Sequence, residues 1–250
     1  MKTPSIIQRT ARIILPLAAL AAAMLNLNSR GADHRHAHAP PGHNKASVLT
    51  ARAEKPVNEP AHTAFDITPP AADPVYDSAG NPAVAANTPL YSQAAGICDH
   101  LFPLIAPDGH HIVLAEWKQA KGEAVIKCGQ KGTHVALQLT GLIPHGVYTV
   151  WVAVFESPGL TPDFTHMIGV GALGAPDGSQ NTIVASEDGE GELSVFHPSG
   201  ALSYFGSAGC LTDEFEVLLW VPLHLNGQTS GGVPGDECNL GFQGAFRFKQ

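Results

Sequence analysis

A chain of 250 residues with 44% hydrophobic and 14% charged side chains is long enough for one or two domains and apolar enough for a substantial core. Its formal net charge of −8 argues against nucleic acid as a partner, because phosphate binding takes clustered Lys and Arg. The 26 Gly and 20 Pro suit many turns and few helices.

The chain opens with Lys2, Arg9 and Arg12, followed by an apolar run over residues 13–25 interrupted only by Pro16. Ala21-Ala22-Ala23 offers a small-residue cleavage site, so residues 1–23 read as a secretory signal peptide. The run falls short of the ~20 residues that a spanning helix needs. No transmembrane anchor is expected after cleavage, and the expected location is periplasmic or secreted. Residues 24–90 follow as a Pro- and His-rich linker whose only aromatics are Phe65 and Tyr76. Such a segment buries too little apolar surface to offset its ordering entropy. It is expected to be disordered, with at most residues 65–76 laid against the domain.

The folded domain is expected over 91–250. Asp108-Gly109 marks a turn, followed by strands over 111–117 and 123–128. From 133 to 140, Val135, Leu137 and Leu139 alternate with polar residues, as in a strand with one buried face. Gly141 to Gly146 turns the chain, and 147–155 is apolar on both faces, as in a strand buried on both sides. The two are expected to pair as the central hairpin. Tyr148, just past the turn, is placed either as a half-buried strand residue or as a tyrosine corner sending its hydroxyl to a loop carbonyl. A long Gly/Pro loop covers 157–180. Segments 181–186 and 190–197 flank Asp188-Gly189 as a hairpin. Strands over 215–225 and 240–248 close the chain, with a glycine-rich loop over 226–239. Short strands separated by turn signals predict an all-β fold, a single antiparallel, Greek-key-like β-sandwich.

Four cysteines, Cys98, Cys128, Cys210 and Cys238, suit two disulfides in an exported chain. Three pairings exist. Cys98 with Cys128 and Cys210 with Cys238 are favoured because each pair brackets a local block. A cysteine metal site is the rival, but the chain has no C-x-x-C pair.

The densest cluster of potential metal ligands is His34, His36 and His38, with His43 close by. Neutral imidazoles suit copper or zinc; a soluble tail with incidental histidines explains them equally. In the domain, His110, His111, His134, His166 and His224 have the freedom to converge, yet neither the H-x-H pair of copper-zinc sandwich sites nor a blue-copper Cys-His-Met spacing occurs there. Gly169 to Gly174 matches G-x-G-x-x-G, but Ala175-Pro176-Asp177-Gly178 forbids the helix that motif requires, so it reads as chance in a loop. Asp177, Ser179, Asn181, Asp188 and Glu190 supply oxygens for Ca²⁺ without EF-hand spacing. No G-x-S-x-G elbow is present. Asp213, Glu214 and Glu216 suit a solvated strand edge better than a glycosidase pair. No catalytic residue and no resident cofactor is expected.

Four segments, GTHVALQLTGLIPHGVYTVWV (132–152), IGVGALGAPDGSQN (168–181), DEFEVLL (213–219) and LNGQTSGGVPG (225–235), resemble an uncharacterised family of secreted bacterial β-sandwich proteins. The likeness spans roughly residues 96–248. It implies export and one β domain, and it carries no activity. The apolar run Leu219-Trp220-Val221-Pro222-Leu223 departs from the more polar stretch expected there, which marks it as a candidate apolar surface. The resulting expectation is a non-enzymatic envelope protein that binds an extracellular partner through loops 157–180 and 226–239. The alternative is a periplasmic copper- or zinc-binding or redox protein.

Overall fold

A computed structural model describes residues 60–68, 71–129, 131–156, 166–198 and 215–248. The described residues form twelve strands: β1 (Ala61–Asp66), β2 (Tyr91–Ser92), β3 (Phe102–Pro103), β4 (Lys121–Gly129), β5 (Gly132–Thr140), β6 (Val147–Thr149), β7 (Trp151–Glu156), β8 (Met167–Ala172), β9 (Thr182–Val184), β10 (Gly191–Pro198), β11 (Phe215–His224) and β12 (Leu240–Phe248). One short helix, α1 (Leu114–Trp117), lies between β3 and β4. Among these residues no helix is long and apolar enough to cross a membrane.

Apart from the β2–β3 pair, the strands make one curled antiparallel sheet in the order β10-β5-β4-β1-β12-β11. Beyond β11 lie β6 and β7, end to end, with β9 on β6 and β8 on β7. The fold is all-β and sandwich-like, as the sequence predicts. The halves meet at β1. Ala61 to Ala64 pair with β4, while Phe65 and Asp66 pair with β12.

The two halves explain the two sequence patterns. β5 alternates buried and exposed because one face of its half meets water. In β7 and β12 nearly every residue is buried. A layer built from residues 71–120 covers the outer side of that half. Gln243 on β12 donates its amide N–H to the Trp117 carbonyl at 2.8 Å, and the Phe242 carbonyl accepts the Asp73 N–H at 2.9 Å. Both faces are therefore dry, and a continuous apolar run results. Leu219, Trp220, Val221 and Leu223 belong to this core at 0–4% exposure, so the run does not form a surface.

Several expectations change. The linker expected over 24–90 holds a central strand, and Leu90 is fully buried, so the folded body includes residues well before 91. Composition misled here because the segment adds apolar side chains one at a time, to a core completed by distant strands. The expected hairpin of 133–140 with 147–155 is absent. β5 pairs with β4 and β10, and residues 141–146 cross from one half to the other. Segments 182–184 and 191–198 also go to opposite halves, although the Ser186–Gly189 turn between them forms. The strand expected over 147–155 breaks at Val150. Its N–H goes to the Asn181 carbonyl and its carbonyl accepts the Leu173 N–H, at the point where the partner changes from β9 to β8. Residues 114–117 are helical rather than extended. The Glu116 carboxylate accepts the Val113 N–H at 2.8 Å and caps that turn.

Tyr148 is neither half-buried nor bonded to a loop carbonyl. It is fully buried, its hydroxyl accepts the Ile143 N–H at 2.9 Å, and it donates to Gln243 Oε1 at 3.0 Å. Gly146 lies under its ring, where a Cβ would come 2.9 Å from Tyr148 Cε2.

The favoured disulfide pairing is also replaced. Cys98 bonds Cys238 across 140 residues of chain. In the chain-entropy model, closing so long a loop stabilises by about 5 kcal/mol. Local bracketing failed as a guide because the chain returns from opposite ends to the same corner. Cys210 and the side chain of Cys128 lie outside what is described.

The Phe65 ring packs on Phe246 with centroids 5.1 Å apart. Phe65→Ala is expected to cost about 2 kcal/mol, below the range for a fully buried Phe because Phe65 is only partly covered. Urea denaturation of the variant beside the wild type measures this. An unchanged midpoint would return residues 60–68 to the status of a linker.

Candidate functional site

The two long loops meet. Gly178, at φ +74°, has no room for a Cβ because one would strike the Gly231 carbonyl, and Gly232 packs as closely on the Pro176 carbonyl. Backbone therefore lies on backbone, which glycine alone permits. Residues 176–178 and 231–232 thus pack together, while Met167–Ala172 belongs to β8 and residues 157–165 lie outside the described set.

Beside this contact runs a groove of about 560 Å³ between the 175–180 turn and β10. Pro176 and Gln180 form one wall, and Leu193, Val195, Phe196 and Pro198 the other. β10 ends the sheet order, so among the described residues one of its sides has no strand partner. Leu193 and Val195 turn inward, whereas Phe196 is 36% exposed and lies against the His134 ring across the pair, 4.9 Å between centroids. Large side chains exposed next to an unpaired strand edge are the elements of a peptide-docking site.

Just inside this strand sits His197, 2% exposed. Its Nδ1 accepts the Gly174 N–H at 3.2 Å, and among the described residues its buried Nε2 has no partner, nor has Asn181 Oδ1. Burial pushes His197 down to about 4, so the ring is neutral at ordinary pH. The second buried histidine, His224, also has a depressed pKa from burial, opposed by its hydrogen bond to the Gln228 backbone. Its Nε2 is 2.8 Å from Thr149 Oγ1, the spacing of a base and a nucleophile. That hydroxyl also takes the Trp151 Nε1–H at 2.8 Å and is 1% exposed, so substrate has no approach to it.

The domain histidines do not converge. His110 lies between Asp108 at 2.6 Å and Glu116 at 2.9 Å, and His111 donates to the Leu90 carbonyl at 2.8 Å. His166 sits 3.7 Å from Glu156. His34, His36, His38 and His43 lie outside the described residues, as do Asp213 and Glu214. Glu216 is buried rather than on a solvated edge. The proposed calcium oxygens are dispersed: Asp177 accepts from Ser179, while Asn181 turns its amide N–H to the Val150 carbonyl. Gly169 to Ala172 belong to β8 rather than to a loop, and no helix follows.

Among the described residues, one set of metal-ligating groups does gather. Cys98, His100 and Cys238 place their ligand atoms within 4.8 Å of one another. Sequence reasoning missed it because the two cysteines are so far apart in the chain; the C-x-H spacing of Cys98 and His100 was the only local sign. No protein-family profile, curated protein or solved structure matches the chain.

Two titrations follow. The hydrogen bond that His110 donates to Asp108 raises its pKa above the ordinary 6.5; burial opposes this, and the charge of Glu116 adds a smaller push upward. An NMR titration is expected to place its midpoint above that value, and Glu116→Gln to lower it. His197 acts in the opposite sense. Its folded pKa of about 4 lies below 6.5, so the unfolded chain binds the extra proton between those values and stability falls as pH drops through that window. The loss is at most about 3 kcal/mol. Stability curves from pH 7 to 4 are expected to be flatter for His197→Phe, and an equally steep curve would refute a buried neutral ring.

Proposed function

We propose that the chain is a non-enzymatic binding module of the cell envelope, periplasmic or secreted, that takes an extended polypeptide along β10. The observation that carries this reading is the groove between the 175–180 turn and β10, a strand with one side unpaired among the described residues. An added strand would draw its affinity from main-chain hydrogen bonds and its specificity from alternate side chains entering the groove. Phe196 supplies an aromatic anchor at the rim. The packed loops supply a fixed frame, as suits binding residues held on a rigid sheet. The signal-like residues 1–23 and the disulfide favour an exported protein. A copper- or zinc-holding tail built on His34, His36, His38 and His43 is the second reading. It rests on the sequence of that segment, and metal analysis of the purified chain tests it.

Panning a phage-displayed peptide library on the wild-type chain is expected to enrich sequences with apolar residues at every second position. Phe196→Asp is expected to weaken those peptides by about tenfold or more, the loss of one aromatic anchor. Enriched peptides that bind both proteins alike would place the site elsewhere.

A further inference from the structure

We infer that Cys98, Cys238 and His100 form a redox-gated metal site: closed as a disulfide, and open to a thiophilic cation such as Zn²⁺ once the bond is reduced. His100 Nδ1 lies 3.9 Å from Cys98 Sγ. Sulfur and nitrogen on one tetrahedral Zn²⁺ stand about 3.6 Å apart, and two thiolates about 3.7 Å. The histidine is thus already at ligand spacing, and reduction frees the two sulfurs to move to theirs.

Both cysteines are held by bonds other than the disulfide. The Cys238 N–H goes to Asp236 Oδ1 at 3.1 Å, and Asn239 Nδ2 to Asp236 Oδ2 at 2.6 Å. The Asn239 carbonyl accepts the Leu225 N–H at 2.8 Å. On the other side the Cys98 N–H goes to the Gln93 carbonyl at 3.0 Å. The Ser92 hydroxyl accepts the Ala94 N–H at 3.0 Å and donates to Asp73, which the backbone ties to Phe242. The two turns thus stay opposed when the S–S bond opens, and the ligands are preorganised. His100 is exposed and reaches in from the solvent side, where a cation enters. His100 Nδ1 leaves its 2.7 Å contact with Asp99 Oδ1 for the metal, the ring's single proton then sitting on Nε2, and Asp99 stands beside the fourth position.

The chemistry balances with an external dithiol as reductant. Two electrons and two protons pass from the dithiol to the Cys98–Cys238 bond; the dithiol becomes a disulfide and two protein thiols form. Zn²⁺ then replaces both thiol protons, which leave to water. An oxidant reverses the sequence and releases the metal.

The test uses the full chain, reduced with a water-soluble phosphine, freed of it anaerobically, and titrated with Zn²⁺ and Co²⁺ beside the oxidised protein. The reduced wild type is expected to take up one more equivalent than the oxidised form and to show thiolate-to-cobalt charge-transfer absorption. Reoxidation is expected to release that equivalent. Cys98→Ser with Cys238→Ser is expected to abolish it. His100→Ala, which removes an exposed side chain and leaves the disulfide in place, is expected to weaken Co²⁺ binding about tenfold or more. The inference is overturned if oxidised and reduced chains bind equally. It fails too if the extra equivalent survives the double substitution, which assigns it to Cys128 and Cys210, or if His100→Ala leaves the affinity unchanged.

Discussion

The structure hangs on one buried amide. Gln243 sits fully buried in the middle of β12, in the half of the fold that is dry on both faces. Its N–H reaches the Trp117 carbonyl and its Oε1 takes the Tyr148 hydroxyl, which in turn accepts the Ile143 N–H. Three parts of the chain, the outer layer, the sheet and the crossover, are thereby fixed to each other by polar groups with no water to substitute. A neutral hydrogen bond of this kind contributes only about 1 kcal/mol net, but leaving its partner buried and unpaired costs about 1–3 kcal/mol. The network therefore works chiefly by excluding alternatives. Sliding β12 by one residue would turn Gln243 to the opposite face and strand every member. Burial also drives the Tyr148 hydroxyl well above its ordinary pKa, so it remains a neutral donor and the network stays intact over any ordinary pH.

That network shows why some of the fold could be read from the sequence and some could not. Periodicity reports how many faces of a strand are dry, and it did so correctly for β5 and for β6 with β7. It does not report which strand lies alongside. Gly141 to Gly146 has the punctuation of a hairpin turn, yet the chain uses it to change halves, because Tyr148 folds back onto Ile143 and draws the next strand towards β11. Ala61–Asp66 fails every compositional test for a strand and still occupies the seam, since β4 and β12 each offer it an edge. The apolar run around Trp220 looked like a surface because nothing local reveals the layer from residues 71–120 that covers its half.

Chemistry at the candidate sites was legible in kind rather than in place. Residues 157–180 and 226–239 stood out as loops from their glycine content, although 167–172 is strand β8, and the glycines turn out to matter at the contact between them, where Gly178 meets Gly231. The groove beside them was not foreseeable. It depends on β10 ending the sheet among the described residues, a fact of topology, and on Pro176 and Gln180 facing residues of β10. The disulfide is similar: four cysteines announced bonding, but only the return of the chain to the start of β12 brings Cys98 to Cys238.

These features bear on one another through loop 226–239. Its base is closed by the Leu225–Asn239 hydrogen bond, its C-terminal end by Cys238 and Asp236, and its middle by the backbone contact with residues 176–178. A loop held at three points loses little further freedom when anything packs against it. The same three points tie the 175–180 wall of the groove to the disulfide corner through short backbone segments. The groove wall and the Cys98–Cys238 corner are therefore the two ends of one braced element, and the bracing runs through glycine contacts too tight to yield without moving both.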